Sequence, residues 1–305
     1  TENHFPLINY PEDNLPTKER ITLGEKMFFS TIFSVDSSIS CASCHLPEYA
    51  FSDTVSFSLG VENRIGTRNT PSLLNVGYNI RLLRDGIVPT LEKQVTVPIH
   101  EHLEFDFNIV LLADRMNQDS VWVKLSREAY NRIPDPFVIS RALAAFQRTL
   151  ISNSSPYDRY INGDKTALTT NQLLGLKLFN GKANCSTCHS GLFFTNESLQ
   201  NNGLYERYED SGKMRLTLME TDRDLFKVPS LRNVSITSPY MHDGSISSLP
   251  EVLSHYNSGG KPHKHKGIDQ LNVSRDEKEA IISFLHSLTD LKTISKYSEK
   301  YNAKK

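Results

Sequence analysis

The sequence lacks the features that would direct a protein into a membrane or onto nucleic acid. Its 34 lysines and arginines nearly balance 35 aspartates and glutamates, so the 305-residue chain has a formal net charge of −1. This balance predicts no basic surface for a phosphate backbone or an anionic membrane. The sequence also has no run of 18 apolar residues, and we expect no segment that spans a bilayer.

Cysteine is scarce, and its placement is the most informative feature of the chain. All four cysteines fall in two copies of one pattern, "CASCH" and "CSTCH". Cys-x-x-Cys-His is the attachment signature of c-type haem, although a single copy is also compatible with a redox dithiol or half of a zinc site. Two copies that use every cysteine favour two covalently bound haems. Their predicted attachment residues are Cys41, Cys44 and His45 for the first haem, and Cys185, Cys188 and His189 for the second.

The two haem motifs also bear on where the protein works. Covalent haem attachment takes place outside the bacterial cytoplasm, which predicts a periplasmic protein. The first residues, "TENHFPLINYPEDNLP", are polar and contain proline, without the charged-then-apolar order of an export signal. We therefore expect that a signal peptide has been removed.

Each haem motif lies in a longer stretch that occurs twice in related form. "LGEKMFFS" (23–30) precedes the first motif, and "LGLKLFNG" (174–181) precedes the second. Downstream, "PSLLNV" (71–76) and "PSLRNV" (229–234) are each followed by Asp-Gly, with 14 residues from proline to aspartate in both copies. This repetition predicts two related haem domains that arose by duplication.

The local signals in both copies predict a mainly α-helical fold. Capping-box patterns begin helices at Thr169 and Ser274, and an apolar stripe over 137–150 predicts another helix. No long alternation of apolar and polar residues predicts a large sheet. We expect an N-terminal domain at 1–155 and a C-terminal domain at 156–305, with a C-terminal tail that is free to pack back on the first.

With both haem motifs in order, the chain resembles the bacterial di-haem cytochrome c peroxidase family, which includes the MauG-type enzymes. The resemblance runs from about residue 20 to about residue 290 and includes "TRNTPSLLNVGYN" (67–79) and "VPSLRNVSITSPYMHDG" (228–244). It implies two cytochrome c-like haem domains, with the active site and a calcium ion near their interface.

The resemblance also implies roles for residues at the first haem. This haem, on His45, would be the one that reacts with peroxide, and Gln94 and Glu104 would lie on its distal side. A carboxylate such as Glu104 is suited to take a proton from one peroxide oxygen and deliver it to the other. Gln94 would orient peroxide or water by hydrogen bonding. Outside this context, either residue would be interpreted as a solvated surface side chain.

The loop after the first haem motif departs from many peroxidases of the family, which close the first haem with a histidine from this loop. Here the loop (46–68) contains neither histidine nor methionine. The first haem is therefore expected to stay open. An open iron favours an enzyme over the alternative, a di-haem electron carrier with two six-coordinate irons.

Two further family positions differ in how well they match. The calcium site corresponds to the side chain of Asn69 and the backbone carbonyls of Thr237 and Pro239, oxygen ligands that suit calcium. The tryptophan between the haems corresponds to Arg84, because the single tryptophan of the chain is Trp122. An arginine cannot be oxidised as an indole can, so transfer between the haems is expected to use direct tunnelling or another aromatic residue.

The second haem, on His189, has several candidate sixth ligands. On chemistry alone they are Met214, Met219, Met241, His242, His255 and Tyr256. The family pattern selects Tyr256, at a position that is methionine in many peroxidases and tyrosine in MauG-type members. Ser248 and Gly259 are expected to bound its helix, on which His255 points about 100° away. A phenolate is a hard anionic ligand and should lower the potential of this haem.

The sequence thus predicts a di-haem c-type peroxidase that reduces hydrogen peroxide at the first haem, with a second haem that stores or relays oxidising equivalents. The alternatives are a MauG-like oxidase acting on a protein or small-molecule substrate and, with less support, a non-enzymatic di-haem electron carrier. The expected partners are hydrogen peroxide and either a redox protein (a cytochrome c or a cupredoxin) or a protein substrate. The sequence leaves open whether the chain forms a homodimer.

Overall fold

Helices dominate the computed structural model, which describes residues 5–302, and this confirms the mainly α-helical prediction. The helices are α1 (Lys18–Phe28), α2 (Leu91–Gln94), α3 (Thr96–His100), α4 (Ile109–Asn117), α5 (Ser120–Tyr130), α6 (Pro136–Gln147), α7 (Pro156–Ile161), α8 (Thr170–Asn180), α9 (Met214–Thr217), α10 (Leu249–Ser258), α11 (Arg275–His286) and α12 (Leu291–Asn302). Two short strands, β1 (Leu199–Gln200) and β2 (Phe226–Lys227), pair antiparallel. Within the described residues, no helix has both the length and the apolar composition needed to cross a bilayer.

Side-chain caps fix several helix starts. The predicted capping boxes at Thr169 and Ser274 begin α8 and α11. The apolar stripe over 137–150 forms α6, which ends at Gln147, three residues before the stripe does. The polar segment between the two halves, residues 152–165, contains a helix that the sequence analysis did not predict. This helix, α7, begins at a capping box in which the Ser155 hydroxyl accepts a hydrogen bond from the backbone amide of Asp158. Proline occupies the first helical position.

Two hydrophobic clusters are built in the same way from the repeated sequence. In the first, α1 packs so closely on α6 that a Cβ on Gly24 would lie 1.8 Å from the backbone oxygen of Ala142. In the second, α8 packs on α11, and a Cβ on Gly175 would lie 2.0 Å from the backbone oxygen of Ala280. The Leu-Gly pair of each repeat is therefore a helix-contact site, because only glycine permits this approach.

Aromatic rings follow the same pairing. Phe28 lies 5.2 Å from Phe146 between ring centroids, and Phe179 lies 5.2 Å from Phe284. These pairs occupy equivalent places in the two clusters, four residues after the close-packed glycines. The internal repeat predicted from the sequence is thus present in the packing of the helices.

The C-terminal helix returns to the first cluster. In α12, Tyr301 stacks on Phe29 with ring centroids 4.3 Å apart, and Tyr297 lies edge-on to Phe51 at 5.3 Å. The Tyr297 hydroxyl donates to the backbone oxygen of Thr149 at 2.9 Å. The end of the chain therefore contributes to the core of the N-terminal half.

Candidate functional site

One cavity of about 820 Å³ contains the residues of both cysteine motifs on its wall. The cysteines and histidines that line it are Cys41, Cys44, His45, Cys185, Cys188 and His189. The wall is largely apolar, with a limited number of polar groups, which is typical of cofactor pockets. The structure thus brings together the two motifs that lie about 140 residues apart in the sequence.

The first motif holds its histidine in a defined orientation. A 3-10 turn begins at Cys41, whose backbone oxygen accepts from the amide of His45 at 3.0 Å. The His45 ring places Nδ1 2.8 Å from the backbone oxygen of Phe51. Burial lowers the pKa of His45, so the ring is neutral: Nδ1–H donates to this oxygen and Nε2 keeps a free lone pair. A neutral imidazole oriented in this way fits an axial haem ligand.

The second motif repeats this arrangement. The amide of His189 donates to the backbone oxygen of Cys185 at 2.9 Å, and Nδ1 of the ring lies 3.1 Å from the backbone oxygen of Phe194. Burial also lowers the pKa of His189, which leaves Nε2 available to a metal. The two motifs therefore present equivalent iron-binding groups.

The thiols do not have the properties of a reactive redox dithiol. Burial raises the pKa of Cys41 to about 12, that of Cys44 to about 11 and that of Cys185 to about 12. Reactive dithiols instead have lowered pKa values, because their thiolates are stabilised. Neutral thiols beside a free imidazole nitrogen fit covalent attachment of haem, in which each sulfur ends as an uncharged thioether.

Gln94 and Glu104 both reach the wall of this cavity. Gln94 is the last residue of α2, and its Oε1 is buried without a hydrogen-bond partner among residues 5–302. Glu104 follows α3, and its side chain is exposed to the interior of the cavity. Enclosure by the surrounding protein and the charge of Glu101 raise the pKa of Glu104 to about 7. An unpartnered amide oxygen and a carboxyl that titrates near neutrality suit a small polar substrate.

The loop after the first haem motif fixes the backbone of Glu104. The amide of Val61 donates to the backbone oxygen of Glu104 at 3.0 Å. A Cβ on Gly60 would lie 2.1 Å from the backbone oxygen of Leu103, so glycine alone fits there. Side chains of this loop that line the cavity include Ser52, Ser58 and Leu59, none of which is a strong iron ligand.

Tyr256 lies on α10 and lines the same cavity. The predicted helix ends are confirmed, because the Ser248 hydroxyl accepts from the amide of Glu251 and Gly259 ends the helix with φ +87°. Burial raises the pKa of the Tyr256 phenol, whereas a hydrogen bond with the Asn202 side chain opposes this shift. A phenolate therefore forms here only beside a cation such as iron.

The other candidate ligands lie elsewhere or already have partners. His255 is not on the cavity wall, and its Nε2 lies 3.1 Å from the backbone oxygen of Asn202. Met241 lines the cavity, and its Sδ accepts a hydrogen bond from the Asn202 side-chain amide at 3.3 Å. His242 stacks on Phe226 with ring centroids 4.0 Å apart. The remaining two methionines do not line the cavity: they are Met214 and Met219. No motif or spacing in the sequence marks Asn202, although it contacts Met241, His255 and Tyr256.

The residues expected to hold calcium also lie on the cavity wall: they are Asn69, Thr237 and Pro239. Asn69 Oδ1, the side-chain oxygen expected to bind the ion, instead accepts a hydrogen bond from Arg84 Nη2 at 2.6 Å. The Arg84 Nε–H donates to the backbone oxygen of Asn69 at 3.0 Å. A cationic group thus occupies the oxygen that the ion needs, and this donor set does not fit calcium.

Comparisons with known proteins agree with this site. A family model described as di-haem cytochrome c peroxidase matches residues 18–166. The chain is 36% identical over 292 residues to the methylamine utilization protein MauG of Methylophilus methylotrophus, covering 92% of this chain and 85% of that protein. The chain belongs to the di-haem cytochrome c peroxidase/MauG superfamily.

Peroxidases and structures of this superfamily extend the match. The cytochrome c551 peroxidase of Nitrosomonas europaea is 32% identical over 280 residues, which cover 88% of this chain and 79% of that protein. The crystal structure of a MauG-like protein associated with microbial copper homeostasis superposes with a TM-score of 0.91 at 28% identity, covering 98% and 97% of the two chains. Membership of the superfamily supports an oxidoreductase with two haem c groups.

Proposed function

We propose that the protein is a periplasmic di-haem c-type peroxidase that reduces hydrogen peroxide at the haem on His45, with a second haem that stores or relays oxidising equivalents. The periplasm is proposed because c-type haem is attached outside the bacterial cytoplasm. We also propose that residues 1–155 and 156–305 are the two haem domains, with α12 packed back on the first.

A single arrangement supports this proposal. The cavity wall combines the His45 imidazole with the unpartnered Oε1 of Gln94 and the carboxyl of Glu104, whose pKa is about 7. The adjacent loop (46–68) provides no histidine or methionine that could close the first haem. A closed electron carrier would need neither an open position nor an acid–base group beside it.

The chain's own residues then handle the substrate and its protons. A haem held by His45 would supply the electrons that cleavage of the peroxide O–O bond requires. Glu104, as the carboxylate, accepts a proton from the oxygen nearer the iron. It returns this proton to the far oxygen, which leaves as water. Gln94 orients the peroxide through its side-chain amide.

The second haem site supports storage of oxidising equivalents. Tyr256 reaches the cavity wall from α10 and lies near the thiols of Cys185 and Cys188. We propose that the Tyr256 phenolate and the His189 imidazole would together hold the iron of the second haem. A hard anionic ligand favours higher oxidation states of iron, so this haem would be a poor acceptor from a high-potential cytochrome.

Tyr256 favours a second candidate function, a MauG-like oxidase that acts on a protein or a small molecule. Both kinds of protein occur among the relatives, since MauG and cytochrome c peroxidases match over most of the chain. The two candidates share the peroxide site and differ in the source of electrons. In the first a cytochrome c or a cupredoxin supplies them, and in the second they come from the substrate that is oxidised.

Spectroscopy and turnover together test these functions. The electron paramagnetic resonance spectrum of the oxidised protein should contain one high-spin and one low-spin haem. Two low-spin haems would contradict the open site and favour the carrier. Sustained peroxide turnover with a reduced cytochrome c supports the peroxidase, whereas fast reaction with peroxide and negligible turnover supports the oxidase.

A further inference from the structure

Arg84 lies in the turn between "PSLLNV" and α2, on the wall of the cavity that both haem motifs line. Its guanidinium makes two hydrogen bonds to one residue, from Nη2 to Asn69 Oδ1 at 2.6 Å and from Nε to the Asn69 backbone oxygen at 3.0 Å. This fork joins the turn at Arg84 to the segment at Asn69, 15 residues earlier. Arginine is suited to such a contact because its planar group presents donors in a fixed geometry.

The orientation of the Asn69 amide is determined by its other contacts. Nδ2 donates to the backbone oxygens of Val55 at 3.2 Å and Ser56 at 3.4 Å. The Asn69 backbone amide donates to the oxygen of His242 at 2.8 Å, and the residue is 2% exposed. Exchanging Oδ1 and Nδ2 would set an oxygen against two carbonyl oxygens and an amide against a guanidinium. Oδ1 therefore faces Arg84.

The neighbouring charges leave Arg84 as a positive group. Arg68 binds two aspartates of this region, Asp85 at 2.6 Å and Asp210 at 2.5 Å. Within the described residues, the Arg84 side chain donates no hydrogen bond to a carboxylate. The attraction between Arg84 and Asp243 is weaker than the opposing effects of burial and of the Arg68 charge. An arginine guanidinium is not deprotonated in proteins near neutral pH, so Arg84 keeps its positive charge.

A calcium ion at this place would compete with the guanidinium. Calcium binds oxygen at about 2.3–2.6 Å, so an ion on Asn69 Oδ1 would lie no more than about 5 Å from the Arg84 nitrogen that already contacts this oxygen. The other expected ligands, the carbonyls of Thr237 and Pro239, are neutral and do not offset the repulsion between two cations.

We propose that the Arg84 guanidinium replaces the calcium ion of the superfamily, so that this protein folds and holds its haem cavity without calcium. The guanidinium takes over the contact with Asn69 Oδ1 and supplies a fixed positive charge. The resemblance assigns this same position to the tryptophan between the haems. One residue thus accounts for both departures from the family pattern.

Metal content and thermal unfolding of the protein with both haems bound test this proposal. After passage over a chelating resin, calcium measured by mass spectrometry should be far below one ion per chain. The melting temperature should be the same in excess EGTA and in excess calcium chloride. Stoichiometric calcium that EGTA removes, with a fall in melting temperature, would overturn the proposal.

Variants of Arg84 test whether its guanidinium replaces the calcium ion or whether the protein simply does not respond to calcium. Arg84→Gln removes the charge and frees Asn69 Oδ1, so calcium should now raise the melting temperature, by about 5 °C when it exceeds its Kd about 100-fold. The control Arg81→Gln changes an exposed residue three positions earlier, and calcium should not change the melting temperature of this variant. An Arg84→Gln protein that folds but ignores calcium would refute replacement.

If Arg84→Gln does not fold, the wild-type measurements still decide whether calcium is bound. Arg84→Lys, which keeps a cation at this position, should then fold and remain insensitive to calcium. A calcium-dependent Arg84→Lys protein would contradict the proposal. These readouts do not depend on peroxide turnover, so they separate failure of this inference from failure of the proposed function.

Discussion

The reaction of the oxidised protein with peroxide should depend on pH through Glu104. Enclosure in the cavity and the charge of Glu101 raise the pKa of Glu104 from 4.5 to about 7. Only the carboxylate can accept the peroxide proton, so the rate should rise with pH and level off above the pKa. Between about pH 8 and pH 5 the carboxylate fraction falls about 90-fold. A carboxyl with an ordinary pKa would lose only a small part of its ionised form over this range.

Two substitutions separate the proton acceptor from its neighbour. Glu104→Gln keeps the size of the side chain but cannot accept a proton, and it should lower the second-order rate constant by about 10²- to 10⁴-fold and abolish the pH dependence. Glu101→Gln removes the charge that helps to raise the pKa of Glu104. It should therefore move the midpoint to lower pH and leave the rate at high pH unchanged.

Stopped-flow absorbance at the haem Soret band measures this rate as peroxide concentration and pH are varied. Haem content and the resting spectrum of each variant provide the control for folding. A wild-type rate that is constant between about pH 5 and pH 8 would refute a proton-accepting Glu104. The same conclusion would follow if Glu104→Gln reacted within a few-fold of the wild-type rate.

Three further substitutions test the remaining site and the fold. Tyr256→Met should raise the potential of the second haem in a redox titration, whereas His255→Met should not, since His255 lies off the cavity wall. Gly60→Ala would clash with the backbone beside Glu104, and should slow the peroxide reaction while both haems remain bound. Gly175→Ala places a Cβ 2.0 Å from a backbone oxygen of α11 and should lower the free energy of unfolding by about 1–3 kcal/mol in a denaturant titration.

Local signals in the sequence predict the parts of the structure that depend on neighbouring residues. The capping boxes at Thr169 and Ser274 begin the expected helices, and Gly259 ends α10 in the left-handed conformation. The repeated Leu-Gly and Asp-Gly pairs occupy equivalent places in both halves. These features follow from backbone geometry and helix-end hydrogen bonding, which a few adjacent residues determine.

Local sequence signals do not predict contacts between segments that are distant along the chain. Gln94 and Glu104 were selected through resemblance, because nothing in their spacing shows that both line the same cavity as His45. The hydrogen bond from Arg84 to Asn69 was not anticipated, since it depends on how two loops pack. Asn202, which contacts three candidate-ligand residues, has no sequence signal at all. The roles of these residues at the haems stay predictions.

The internal repeat supports the proposal that one haem is open and the other is closed. In both halves a helix begins six residues after the aspartate of the Asp-Gly pair, with Leu91 and Leu249 as first residues. Counting seven residues onward reaches Pro98, on α3, in the first half and Tyr256, on α10, in the second, and both line the cavity.

A proline side chain has no atom that can bind iron, whereas a phenol oxygen can. The ligand proposed for the second haem therefore has no counterpart at the equivalent position of the first half. This difference reinforces the absence of histidine and methionine from the loop at 46–68. If the first haem is the open one, as proposed, a single substitution that introduces a ligand in either segment should close it.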